Sequence, residues 1–121
     1  MKEHKVYVIQ EIAGSADGRP KINIIGASDY STSGKFNFLL PELSQILFSP
    51  GPLIFKLRKE LANYKTKDYL LLTGDPAIIG VACSIVSDMT NGQYKLLKWD
   101  KQERKYYPIE INLYERGKID E

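Results

Sequence analysis

The sequence predicts an α+β fold with α/β character: a single mixed sheet with two packed helices, in the order β-β-β-α-β-α-β-β. Three observations lead there. Short runs rich in β-branched and aromatic residues, bounded by Gly, Pro, Asp and Ser clusters, fill the first and last thirds. Two stretches in the middle carry apolar residues at helical spacing. Between them lies Tyr69-Leu-Leu-Leu-Thr73, almost wholly apolar, which suits a strand buried on both faces.

The elements follow in chain order. Lys5 to Ile12 reads as the first strand, with Val6, Val8 and Ile12 in period-two register. Ala13 to Pro20 is a turn-forming cluster in which Asp17-Gly18 is the strongest local signal. Ile22–Ile25 is expected as a second strand, Ser28 to Gly34 as a loop and Phe36–Leu40 as a third strand, the three forming an antiparallel meander. Ser49-Pro50 offers an N-cap and a first-turn proline. From there Leu53, Ile54, Leu57 and Leu61 oppose Lys56, Arg58, Lys59 and Glu60, predicting an amphipathic helix from Pro50 to Tyr64.

After the apolar strand, Gly74 permits a tight turn, Asp75 can cap and Pro76 can open a second helix running to Met89, stopped by Asn91-Gly92. The strand–helix–strand unit from Tyr69 to Trp99 should be a right-handed parallel crossover. Tyr94–Trp99 and Lys105–Leu113 read as a hairpin with a charged tip, Pro108 putting the last strand at a sheet edge. One domain over residues 1–121 accounts for the chain, with 115–121 expected as a solvated tail.

Composition narrows the function. Hydrophobic residues are 43% and charged residues 26%, enough for a core, and 17 Lys plus Arg against 15 Asp plus Glu leave +2. That balance excludes chemistry driven by bulk charge. One Cys, Cys83, excludes an internal disulfide and a multi-Cys metal site, and one His, His4, excludes a His-rich one. No apolar run approaches the roughly 20 residues of a membrane span, and no signal-type stretch opens the chain, so a cytoplasmic protein without membrane contact is expected.

Three places could carry chemistry. The first is the strand-to-helix turn Thr73-Gly74-Asp75. Ligands of open α/β sheets bind beyond the carboxyl ends of strands, and a helix N-terminus offers free N–H groups. Asp75 would compete for those groups, and neither GxGxxG nor GxxxxGK[ST] is present. A helix cap is the plain reading, and a nucleotide or small-ligand site the alternative. The second is two-metal nuclease chemistry, because the element order resembles ribonuclease H-like folds. Asp75 and Glu60 fall near the required places, but the first strand offers only Glu11 near its end and Glu60 stands among Lys56, Arg58 and Lys59. A degenerate relative of that fold fits better than an active nuclease.

The third is basic charge placed with aromatics. Ile54 to Asp68 carries five Lys/Arg and two acids, and Gln93 to Lys118 seven and four, each a net +3. In the hairpin, Lys98, Lys101, Arg104 and Lys105 would contact phosphates, and Tyr106 or Tyr107 would stack on a base. Alternation turns those two tyrosines to opposite faces, so one of them packs inward. Trp99 reads as a candidate for the core, and the plain reading of the same surface is a solvated hairpin or a protein-binding edge. Nucleophile chemistry fails: Cys83 lies mid-helix, His4 near the chain end, and no GxSxG elbow is present.

The stretch Asp68-Tyr-Leu-Leu-Leu-Thr-Gly-Asp-Pro76, its small-residue helix, Lys95-Leu-Leu-Lys-Trp-Asp100 and Tyr107-Pro-Ile-Glu-Ile111 are similar to small proteins encoded by tailed bacteriophages. The resemblance covers the last half of the chain and carries over no activity and no functional residue. It implies a virus-encoded protein at work in the host cytoplasm. With no coherent catalytic set, the expected function is a non-enzymatic binding or accessory protein, needing no cofactor, whose partner is a protein or single-stranded nucleic acid. A homodimer through the C-terminal edge strand is also expected.

Overall fold

A computed structural model describes residues 3–11, 24, 26–41 and 49–115. Its elements are β1 (Val6–Gln10), a 3₁₀ helix (Gly26–Tyr30), β2 (Phe36–Leu40), α1 (Gly51–Glu60), β3 (Tyr69–Leu71), α2 (Pro76–Met89), β4 (Gln93–Asp100) and β5 (Lys105–Asn112). Among the described residues five strands form one mixed sheet in the order β2-β1-β3-β4-β5, with α1 and α2 packed on it, as expected for the α+β class.

All neighbours are parallel except the β4–β5 hairpin. The expected antiparallel meander is therefore corrected: β1 and β2 run parallel, Val6 opposite Phe36 and Val8 opposite Phe38. The connection, residues 11–35, is long enough for the crossover that parallel strands require. The expected second strand, Ile22–Ile25, falls mostly outside the described residues, as do Asp17-Gly18 and residues 116–121. Ile24, the described member, is helical rather than extended.

Two cores explain the order. Tyr7, Ile9 and Leu70 face one side, under Leu57 and Leu61 of the α1 region and Ile78, Ala82, Ile85 and Val86 of α2. Val6, Val8, Leu71 and Leu97 face the other, under Ile24, Ala27 and Tyr30. The leftward step from β1 to β2 thus crosses one face, and the rightward steps through α1 and α2 cross the other. Opposite directions on opposite faces give all three connections one hand. It is also why all five β1 residues are buried.

α1 is shorter than its apolar spacing predicts. Pro50, not Ser49, is its N-cap residue, and it closes at Glu60 with Leu61 as C-cap. Leu61 and Tyr64 still reach the core, from a turn rather than a helix, which is why the spacing runs on past the helix end. Asp75 caps α2 as expected, its carboxylate accepting the Ala77 N–H at 2.8 Å. Asn91 and Gly92 end it with φ of 55° and 77°.

β5 is a sheet edge. The Leu113 N–H donates to Gly92 O, which sets the ladder's parity: residues 105, 107, 109 and 111 bond inward, while 106, 108, 110 and 112 present backbone groups outward. Pro108 therefore lacks its N–H on the outer side, where the hairpin loses nothing. The outward carbonyl of Tyr106 accepts the Tyr30 hydroxyl at 2.8 Å, and that of Asn112 accepts the Glu115 N–H at 3.2 Å.

Candidate functional site

The sheet order reverses direction between β1 and β3, and this switch point is where open α/β sheets bind ligands. Thr73, Gly74 and Asp75 lie there, brought against the end of β1. Thr73 Oγ1 donates to Gln10 O at 2.6 Å and accepts the Gln10 N–H at 3.1 Å. The Gln10 side chain bridges the crevice: Oε1 accepts the Asp75 N–H at 2.9 Å, and Nε2 donates to Pro41 O at 3.2 Å. Gly74 has φ +99°, and a Cβ there would collide with Gln10 Oε1.

The arrangement is a clasp. Two backbone donors that an anion would use here, Asp75 N–H and Ala77 N–H, are held by Gln10 and by the Asp75 carboxylate. Gln10 escaped sequence reasoning. The signal was a lone amide side chain ending an otherwise apolar run, Val6-Tyr-Val-Ile-Gln10, on a strand now seen to be fully buried.

The hairpin tip is the second assembly. β3 pairs only as far as Leu97, so residues 98–100 and 105–107 project beyond it. Asp100 organises the tip: its Oδ1 accepts the Gln102 N–H at 2.9 Å and the Glu103 N–H at 3.3 Å, and its carbonyl accepts the Arg104 N–H at 2.8 Å. Arg104 takes φ 54° to close the turn. Lys98, Lys101, Arg104 and Lys105 are all exposed.

Register sorts the aromatics. Trp99 lies opposite Tyr106 and Lys98 opposite Tyr107. Tyr106 is buried, and burial pushes its hydroxyl pKa up, so it is the inward tyrosine. Tyr107 is half-buried on the other face, with Lys98 across from it and Lys105 two residues along. Trp99 is not core: it is 36% exposed and meets Tyr106 edge-on with centroids 5.0 Å apart, because the sheet no longer flanks β4 at that position.

The remaining candidates separate. β1 and β2 run parallel, which removes the ribonuclease H-like layout, and Glu60 is exposed on α1. Among the described residues no three His, Cys, Asp or Glu side chains stand together as a metal site. His4 Nδ1 lies 2.9 Å from Lys67 O. Burial raises the Cys83 thiol pKa, which disfavours the nucleophilic thiolate. Among the described residues, no helix is long and apolar enough to cross a membrane.

Comparison with known proteins gives one finding. No curated protein and no solved structure matches the chain. A family model, described as Phage Pam3 gp32-like protein, matches residues 4–113 and so spans the whole described sheet and both helices. The match covers far more than half of the sequence, and the chain belongs to the Phage Pam3 gp32-like protein family.

Proposed function

We propose that this phage protein is a non-enzymatic binding module that takes single-stranded nucleic acid on the β4–β5 hairpin tip, in the cytoplasm of the infected host. One observation carries the reading: the register sets half-buried Tyr107 beside exposed Lys98 and Lys105 on one face of a tip that projects past β3. Such a face offers a ring to a base and cations to the phosphates on either side, while Lys101 and Arg104 extend the charge around the turn. The alternative, a ligand at Thr73, Gly74 and Asp75, would first have to displace Gln10.

Fluorescence anisotropy with labelled single-stranded DNA and RNA tests it. Four phosphate contacts give a log–log salt slope of about −3. Lys101→Glu with Arg104→Glu weakens binding to all sequences alike, since phosphate contacts carry no sequence information. Tyr107→Ala weakens it at every salt concentration with little change of slope. No binding at low salt, or binding unmoved by these substitutions, refutes the reading. The same reading adds no second copy to the outer edge of β5, because Pro108 and the two engaged carbonyls blunt that edge against strand addition. Light scattering then gives 13.8 kDa across the micromolar range, and a mass of twice that would restore the edge dimer.

A further inference from the structure

The hairpin tip carries a second partly exposed ring, on the face away from Tyr107. Trp99, the chain's one tryptophan, is 36% exposed and pairs across the hairpin with Tyr106, while Tyr107 pairs with Lys98. Alternation therefore puts Trp99 and Tyr107 on opposite faces of one two-stranded ribbon. Tyr106 meets Trp99 with centroids 5.0 Å apart and planes at 62°. A single ring in that attitude covers at most one face of the indole. β3, whose pairing with β4 stops at Leu97, does not reach residue 99.

Positive charge lies between the two rings. Residues 98–105 hold four Lys/Arg and two acids, Asp100 and Glu103. Asp100 Oδ1 is engaged by the Gln102 and Glu103 N–H groups at 2.9 and 3.3 Å. Among the described residues, Lys98, Lys101, Arg104 and Lys105 form no ion pair. Lys101 and Arg104 stand at the turn, where the two faces meet. The Arg104 φ of 54° and its N–H on Asp100 O set that turn before any ligand arrives, so little ordering is left for binding to supply.

Resting on the single-strand reading of this tip, we infer that Trp99 is a second stacking platform and that the ligand is an unpaired strand of about four or more nucleotides passing around the turn. One base lies on Tyr107, another on Trp99, and the phosphates between them meet Lys101 and Arg104. Length follows from the ribbon's thickness. Each side-chain layer reaches about 5 Å from the sheet, half the spacing of packed sheets, so the rings lie roughly 10 Å apart. At about 3.4 Å per stacked nucleotide, a mononucleotide or dinucleotide reaches one ring and a longer strand reaches both. A duplex, its bases stacked on one another, offers no free base face to either ring.

The test reads Trp99 emission, which no other tryptophan obscures, beside the anisotropy of a labelled eight-thymidine strand at low salt. Saturating strand quenches the emission by at least about a third, at one strand per protein, and a duplex of that length binds at least about tenfold more weakly. Trp99→Ala weakens the strand at least about fivefold with the salt slope unchanged, because a stack is lost and no cation, while Trp99→Phe keeps it within about threefold. Circular dichroism and thermal melts of both variants confirm an intact fold, so lost binding is not lost structure. Strand binding that leaves Trp99 emission unmoved, wild-type affinity in Trp99→Ala, or two strands per protein overturns this inference and leaves the Tyr107 reading standing. A duplex bound as tightly as the strand, or no strand binding at all, overturns both.

Discussion

Asp68 is 1% exposed, the most buried acid described, and its carboxylate joins two distant parts of the chain. Oδ1 accepts the Lys5 N–H at 3.0 Å, just ahead of β1, and Oδ2 accepts the Lys65 N–H at 2.9 Å in the turn before β3. Hydrogen bonds to a charged acceptor contribute about 1.5–3 kcal/mol each. Asp68→Ala therefore removes about 3–6 kcal/mol, and water reaching the partly buried donors brings the loss to the lower end, about 3 kcal/mol. For a chain of this size that is a fall of about 12 °C in Tm. Asp68→Asn keeps one acceptor and turns an NH₂ toward the other N–H, so it costs about half as much. Urea titration checks both: the midpoint falls while the slope stays constant. A loss below about 1 kcal/mol for Asp68→Ala, or wild-type stability for Asp68→Asn, refutes the two-acceptor account.

Gly74→Ala destabilises by about 3 kcal/mol, adding a positive-φ penalty to the collision with Gln10, and Gln10→Ala in the same chain recovers part of that in a double-mutant cycle by urea titration. Asp75→Ala removes the α2 cap and costs about 1 kcal/mol by thermal melt. Tyr64 is held protonated by burial, its pKa raised well above 10.0, and its hydroxyl donates to Asp68 O at 3.0 Å. Because the folded pKa exceeds the unfolded one, this stability is intact below pH 10 and is lost as pH rises above it. Tyr64→Phe gives a lower Tm at pH 7 and a shallower decline above pH 10. Gly80→Ala raises stability by up to about 1 kcal/mol, read from the urea midpoint.

What the sequence made legible is local. Asp75-Pro76 announces the start of α2, Asn91-Gly92 its stop, Pro108 an edge, and alternation turns Tyr106 and Tyr107 to opposite faces. Strand direction is not local. Val6–Gln10 and Phe36–Leu40 are recognisable as strands, but whether they run parallel depends on whether the chain between them crosses back over the sheet, where Ile24, Ala27 and Tyr30 cover Val6, Val8 and Leu71. Ile22–Ile25 looks extended because β-branched residues suit strands, while Ile24 is helical and buried against that same face. Alternation puts Trp99 on the same face as Leu97 and so points it toward the core. Its exposure follows from β3 being three residues long beside an eight-residue β4, a length mismatch visible only once the partners are known. The clasp at Gln10 is non-local in the same way, its partners lying 63 and 65 residues onward and at Pro41.

The place of β1 has a consequence for synthesis. It is made before the other described strands yet sits inside the sheet, flanked by β2 and β3. Its Gln10 cannot meet Thr73 until 63 further residues exist. At about 5–20 residues per second that interval is roughly 3–13 s. Throughout it, Val6-Tyr-Val-Ile9 is an apolar segment with one permanent edge missing, the sort of sequence that pairs with whatever strand is nearest. The nascent chain thus passes through a window in which β1 lacks the neighbour that later encloses it. Slowing translation between β2 and β3 widens the window, and the yield of soluble protein falls with it.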